Sequence, residues 1–481
     1  MVGETATREF QDVQGVYRVN GADVEVLGEA DQSERDALHR RFADRLVVRD
    51  ELTRRLVSYQ GNKTQPGLRW FKYKEGFSAE LVQSALGEAP GPVLDPFAGL
   101  GTAALVASGT GRDATGIELM PIGVRAAQAI SAVANGLSSA TIESAGVALL
   151  HALRGRKAAK SFRFPHVAIT EHAFSPDTEQ AIARARAFLH ACDDEPLQTV
   201  LDVACMSVLE EVSYTRKDGQ YLRWDERSGR DLRGGMHKGP IPSFAEALEQ
   251  RLAEMAEDAP ELAALYGGRP PKLLLGSALE ELATLPDRSI GLTITSPPYA
   301  NRYDYTRTYA LELAWLGYDK AGFGQLRQSL ISATVENRSK EALLDREYPR
   351  RDIVRRAKAA FRSQGALQES LHALIQRRSE LGNPHVIRLV ENYFLEMSVI
   401  VAELARITQP GGRVVMVNDN VQYHGEEVPV DLILSDIAEA CGFECEEISV
   451  LPRGKGNASQ QMGRFGRREL RKCVYHWQIP G

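Results

Sequence analysis

The feature that most restricts how this chain can fold is a short apolar strand running straight into a glycine-rich turn and then an unbroken helix. The stretch is PVLDPFAGLGTAALVASG, beginning at Pro92. Gly99, Gly101 and Ala104 make a G-x-G-x-x-A pattern, with glycine where the backbone must bend tightly and a small residue where the helix meets the strand. The stretch belongs to an alternation that starts near Trp70: helix FSAELVQSAL, strand PVLD, helix TAALVASG, strand DATGIEL, helix PIGVRAAQAISAVANG. Such alternation predicts βαβ units and a mostly parallel sheet.

The alternation stops near residue 138 and resumes at KLLLGSALEELATLPDRSIGLTITSPPY. A second interruption, 320–386, is helical and basic, and is followed by a long helix, IRLVENYFLEMSVIVAELARITQ, and strands in RVVMVN, FECEEISVL and KCVYHWQI. The predicted organisation is an N-terminal helical arm (1–66, with helical spacing over 34–58), one core (67–137, 268–319 and 387–481), a helical insertion (138–267) and a basic helical insertion (320–386). A polar-aromatic stretch in the first insertion, SYTRKDGQYLRWDERSGRDLRGGMHKG, reads as a loop.

The acid pattern around the turn narrows the ligand. Glu118, ending the strand after the turn, is placed to accept hydrogen bonds from ribose hydroxyls. A dinucleotide site shows much the same pattern, and a purely structural turn is a further reading. Asp95 directly before Pro96 and Phe97 repels a pyrophosphate, because phosphates favour basic groups and free helix N–H donors. A ribonucleoside carrying an amino-acid-like cation suits it better, and S-adenosylmethionine fits that description.

The second distinctive stretch is TSPPYANRYDY, from Thr295. Proline pairs cannot continue a sheet ladder, so Pro297 and Pro298 end the strand Ile290–Thr295 in a rigid elbow. In a parallel sheet the ligand crevice lies beyond the carboxyl ends of the strands, where both this elbow and the Asp95 turn emerge. Ser296 and the Pro297 carbonyl are acceptors suited to an amino group, and Tyr299 offers a face on which a planar base can stack.

Together, DPFAGLGT and TSPPY resemble the amino-methyltransferases, which move a methyl group from S-adenosylmethionine to an exocyclic amino nitrogen. The resemblance covers about 70–100, 112–137, 270–318 and 387–481. It implies a Rossmann-like methyltransferase core, an α/β fold with a mostly parallel sheet, carrying the two insertions and the N-terminal arm. It also implies cofactor contacts at Asp95, Pro96, Phe97, Gly99, Gly101, Thr102, Glu118 and Thr295. Tyr73, Phe77 and Ser78 in WFKYKEGFSAEL correspond to the segment that helps hold the methionine part, and Ser277 in GSALEEL to a strand end near the adenine. The implied catalytic residues are Ser296, Pro297, Pro298 and Tyr299. Serine before Pro-Pro is more typical of enzymes that methylate the N4 amino group of cytosine in DNA, with a flipped cytosine as target. Adenine in DNA, or an amino group in RNA, is the alternative.

Composition bears on partners and location. With 58 Lys and Arg against 64 Asp and Glu, the net charge of −6 does not advertise a nucleic-acid binder, so a local basic face must serve. The candidates are Arg216, Lys217, Tyr221, Arg223 and Trp224 in the first insertion, Arg350 and Arg355 in the second, and Arg464 near the C-terminus. Solvated helix faces are the plainer reading of the same patches. The insertion 138–267 is a candidate for target recognition, and a restriction or defence partner protein is a further expectation. Five cysteines at irregular spacing make neither a disulfide framework nor a zinc set. No apolar run reaches the ~18 residues of a membrane helix, and no signal-peptide layout opens the chain. The expected location is the cytoplasm.

Overall fold

The computed structural model describes residues 33–481 except 88, 156–159, 219–220, 229–238 and 453–469, together with the short strands Val16–Val19 and Ala22–Glu25. Its centre is one eight-stranded sheet: β1 (Leu46–Val48), β2 (Val93–Asp95), β3 (Ala114–Glu118), β4 (Lys272–Leu275), β5 (Ile290–Thr295), β6 (Thr408–Asp419), β7 (Glu444–Val450) and β8 (Lys472–Gln478). The order across the sheet is β1-β7-β8-β6-β5-β2-β3-β4. All strands run the same way except β8, which is antiparallel to both of its neighbours. This is the mostly parallel α/β sheet expected from the alternation.

Successive residues of β6 point to opposite faces and enter two different apolar clusters. Val415 and Val417 join Leu292, Ile294 and the helices Ala79–Leu86, Thr102–Gly109 and Pro121–Ala134. Val414 and Met416 join the helices Arg351–Ser363, Val386–Ile407 and Val430–Ala440 on the other face. The inserted helices Ser139–Leu153, Glu195–Ser207 and Phe244–Tyr266 add Leu149, Leu201 and Leu262 to the first cluster. They therefore form a further layer on that face. Serine caps start three of the helices that cover the sheet, Ser78, Ser138 and Ser243, the last in a reciprocal capping box with Glu246.

Two local expectations change. The helix expected over 34–58 spans only Glu34–Arg41, and the chain then becomes β1 at the sheet edge, parallel to β7. Val47 and Val48 are β-branched, and the Ile448 N–H bonds the Arg45 carbonyl at 2.8 Å, so an available sheet edge outweighs a weak helical pattern. The polar-aromatic loop is a hairpin, Thr215–Asp218 paired with Tyr221–Trp224. The two residues between the strands are Gly-Gln, a glycine-first hairpin signal, and YLRW alternates as a strand does. Among the described residues no helix is long and apolar enough to cross a membrane.

Candidate active site

From β2 the chain proceeds outward to β3 and β4, then returns to the other side of β2 as β5. The loops leaving β2 and β5 therefore diverge, and a crevice opens between them. Asp95 and Thr295, the last residues of the two strands, are both buried and joined by a hydrogen bond from Thr295 Oγ1 to Asp95 Oδ1 at 2.7 Å. The Phe97 N–H donates to the same oxygen at 3.0 Å. Burial nevertheless dominates, and the Asp95 carboxyl is pushed up to about 7.

Glu118 holds the glycine turn from the neighbouring strand. The Gly99 N–H donates to one carboxylate oxygen and the Met120 N–H to the other, each at 2.7 Å. Burial raises this carboxyl to about 7 despite those bonds. Gly99 and Gly101 both have positive φ, at 53° and 74°. A further glycine closes the turn from below: a Cβ on Gly123 would stand 2.2 Å from the Gly99 carbonyl oxygen.

The crevice has two connected lobes. The first, about 490 Å³ counting space open to solvent, is walled by Phe97, Ile117, Glu118, Met120, Ser277 and Ile331, and among the described residues has no Lys or Arg in its lining. The second, about 820 Å³, runs over Gly99, Leu100 and Thr102 and carries Lys63, Arg69 and Lys72. Tyr73, Glu75, Phe97, Gly99 and Ser296 border both lobes. The Ser-Pro-Pro-Tyr elbow thus stands at the junction of the lobes, with Pro298 in the wall of the first.

Hydroxyl pairing and bracing fix the elbow. Ser296 Oγ and Tyr299 Oη are 3.1 Å apart. Lys472 Nζ lies 3.4 Å from Tyr299 Oη and 5.2 Å from the centre of its ring, and is held by Asp419 at 2.8 Å. Asp419 and Lys472 face each other across the β6–β8 pair. Tyr423 donates its hydroxyl to the Ala300 carbonyl from another hairpin. Arg302, with φ of 69°, turns the chain toward the tyrosine-rich segment that follows. There Tyr309 stacks on Tyr73 with ring centres 5.1 Å apart and gives its hydroxyl to Glu75 Oε2 at 2.5 Å.

The structure brings together most of the expected cofactor residues: Tyr73, Phe77, Pro96, Phe97, Gly99, Thr102, Glu118 and Ser277 all line the crevice. Gly101 caps the helix Thr102–Gly109 from beneath. Asp95 and Thr295 line neither lobe and are bonded to each other at the strand ends. Ser78 is turned away, capping the helix Ala79–Leu86 and donating to the Leu56 carbonyl at 2.7 Å. Of the expected DNA contacts, Arg223 is exposed on the hairpin, with Tyr221, Arg216 and Trp224 half-buried beside it, and Arg355 is exposed on the helix Arg351–Ser363. Arg350 is tied to Asp287 and to the Ala283 carbonyl. Arg464 lies outside the described residues.

Lys217 requires a correction. Its side chain is 2 % exposed, pairs with Glu312 at 2.5 Å and covers the Tyr309 ring at 4.3 Å. An ammonium buried against a carboxylate and an aromatic face is part of the packing and cannot meet a phosphate. Residues missed in the sequence include Glu75, Ile331 and the Lys472–Asp419 pair. Glu75 lay inside a segment already singled out, whereas the others come from an insertion or from strand pairing.

Three curated relatives align over nearly the whole chain. The type II methyltransferases M.AvaI from Nostoc sp. (strain PCC 7120 / SAG 25.82 / UTEX 2576) and from Anabaena variabilis are each 40% identical over 470 residues, covering 92% of this chain and 93% of theirs. The type II methyltransferase M.BsoBI from Geobacillus stearothermophilus is 37% identical over 480 residues, covering 94% and 93%. Alignments this complete must run through most of both insertions. No protein-family profile and no solved structure matches the chain.

Proposed function

This chain belongs to the type II methyltransferase family, and we propose that it transfers a methyl group from S-adenosylmethionine to the N4 amino group of a cytosine in DNA. The observation that carries this reading is Ser296 at the junction of the two lobes, where a cofactor and a target base would meet. The proposed setting is restriction–modification, with a partner endonuclease blocked by the methylated sequence.

The cleft suits the cofactor. An apolar slot between Phe97, Ile117 and Ile331 fits a purine, and Glu118 has lone pairs left for ribose hydroxyls. Carboxylates, with no cation, line that lobe, which favours a positively charged ligand over a pyrophosphate. When bound, the cofactor supplies an electrophilic methyl group on a sulfonium.

The protein's own part is positioning. Without a target, Ser296 and Tyr299 satisfy each other's hydroxyls. A target amino group would take over Ser296 and the Pro297 carbonyl as acceptors for its two N–H bonds. That contact pulls the nitrogen lone pair out of conjugation and aims it, and most of the acceleration then comes from alignment. Tyr299, restrained by Lys472, offers its face to a base that must leave the duplex to arrive there.

Purified protein incubated with methyl-labelled cofactor and plasmid DNA, followed by digestion to nucleosides, should yield labelled N4-methyldeoxycytidine. Label in N6-methyldeoxyadenosine would replace the cytosine assignment, and label confined to RNA would overturn the DNA reading.

A further inference from the structure

Glu75 has one carboxylate oxygen occupied and one to spare. Oε2 accepts from Tyr309, while Oε1 is shielded from solvent and has no donor within hydrogen-bond distance; the Tyr303 hydroxyl, likewise without a close partner, is the neighbouring group that stabilises its charge. The carboxylate belongs to the wall shared by the two lobes, the same wall that carries Ser296. A buried carboxylate oxygen without a donor is costly, so its retention at a junction of cavities points to a donor that arrives with a ligand.

We infer that Glu75 is the acceptor of the proton that the target nitrogen must lose, an inference that rests on the methyl-transfer reading above. The atoms balance as follows. The amino lone pair forms the new N–C bond while the donor's C–S bond breaks and leaves its electron pair on sulfur. As that bond forms, positive charge builds on the nitrogen, which holds one proton too many and sheds it in the same step. Glu75 Oε1 takes that proton, giving a neutral methylated amine and a neutral carboxylic acid, which returns the proton to solvent once the product has left. Neither Ser296 nor the Pro297 carbonyl is basic enough for this, whereas a carboxylate raised toward neutrality is matched to it.

The surroundings support the role. Burial raises the Glu75 carboxyl above the ordinary glutamate value, and the Tyr303 and Tyr309 hydroxyls and the Lys217 and Lys74 cations oppose that rise. Tyr73, Tyr305 and the Glu118 carboxylate also face it. Lys217 is committed to Glu312, and Lys74 donates to the Lys217 carbonyl at 2.8 Å, so neither ammonium occupies the free oxygen.

The test is single-turnover methyl transfer across pH with saturating cofactor and DNA, together with calorimetry using the sulfonium cofactor and its neutral thioether product. Glu75→Gln keeps the shape and an acceptor for Tyr309. It should slow the single-turnover step by about 10²-fold or more and abolish the acid limb of the profile, with both ligands still binding within about threefold of wild type. Tyr309→Phe removes a bond that favours the charged carboxylate, so its acid limb should move to higher pH. A Glu75→Gln rate within about threefold of wild type would overturn the inference. So would selective loss of affinity for the sulfonium, which would make Glu75 a cofactor counter-ion. A wild-type product other than N4-methyldeoxycytidine corrects the proposed base but leaves the Glu75 result decisive, since every methylated amino nitrogen sheds a proton.

Discussion

Asp95→Asn separates what the buried acid costs the fold from what it contributes to binding. In the folded protein the carboxyl sits at about 7, against 3.8 for the exposed group. The sign follows from proton binding: between these values the folded state holds the proton that the unfolded state releases. The neutral acid therefore contributes fully below pH 3.8, and its contribution drains away as pH rises through 7. Relative to a side chain that never ionises, folding forfeits about 2 kcal/mol of ionisation free energy at pH 5 and about 4 kcal/mol at pH 8, from 1.36 kcal/mol per pKa unit. Asparagine never ionises, and its carbonyl oxygen can still accept from Thr295 Oγ1 and the Phe97 N–H. Urea denaturation of both proteins should show the variant more stable at pH 8, with the advantage shrinking by roughly 2–3 kcal/mol at pH 5. Calorimetry at pH 8 should show weaker cofactor binding by the same variant. A stability difference that does not change with pH would refute the assignment of a burial-raised carboxyl at this position.

Three other substitutions probe separate parts of the site. Gly123→Ala places a Cβ 2.2 Å from the Gly99 carbonyl oxygen, so it should weaken cofactor binding by calorimetry at least about tenfold, because the turn must move. Lys217→Met leaves the Glu312 carboxylate buried without its cation and should lower stability by about 3–5 kcal/mol in urea. The salt dependence of DNA binding should keep its slope, since no phosphate contact is lost. Lys472→Met frees Tyr299 and takes the ammonium at 2.8 Å away from the half-buried Asp419, costing roughly 1–3 kcal/mol of stability and slowing single-turnover methylation more than it weakens cofactor binding.

The parts of this molecule that were legible in its sequence are those whose signals are local. The glycine turn, the acids at strand ends and the proline elbow each occupy a few consecutive residues, and the crevice gathers them because parallel strands all end on one side. What stayed hidden depends on distant partners. β1 exists because the β7 edge was open, although its own residues also suit a helix. Lys217 looked like a surface cation in a polar loop, and only Glu312, 95 residues further on, makes it a buried one. Asp419 and Lys472 are 53 residues apart and meet only through the register of an antiparallel pair. Ile331 reached the first lobe from a segment outside the recognisable motifs, and nothing in its neighbourhood announces a cavity wall.

The charge arrangement of the crevice suggests how binding and catalysis are divided. In the proposed reaction one positive charge is present throughout, first on sulfur and then on the target nitrogen, until a proton leaves. Carboxylates that see both positions equally bind the charge without helping it move, whereas only a carboxylate nearer the nitrogen favours the transition state. Asp95 and Glu118 are tied into the strand ends and the glycine turn by Thr295 and by backbone N–H groups, so in the proposed reaction they would serve the first purpose. Among the described residues Glu75 is the one acid that, like Ser296, borders both lobes, and its Oε1 has no donor within hydrogen-bond distance. Losing Asp95 or Glu118 should therefore appear mainly in the cofactor's dissociation constant, and losing Glu75 mainly in the rate of the methyl-transfer step. If Glu118→Gln instead slowed the step at saturation as much as Glu75→Gln, the two acids would share one role and the division would fail.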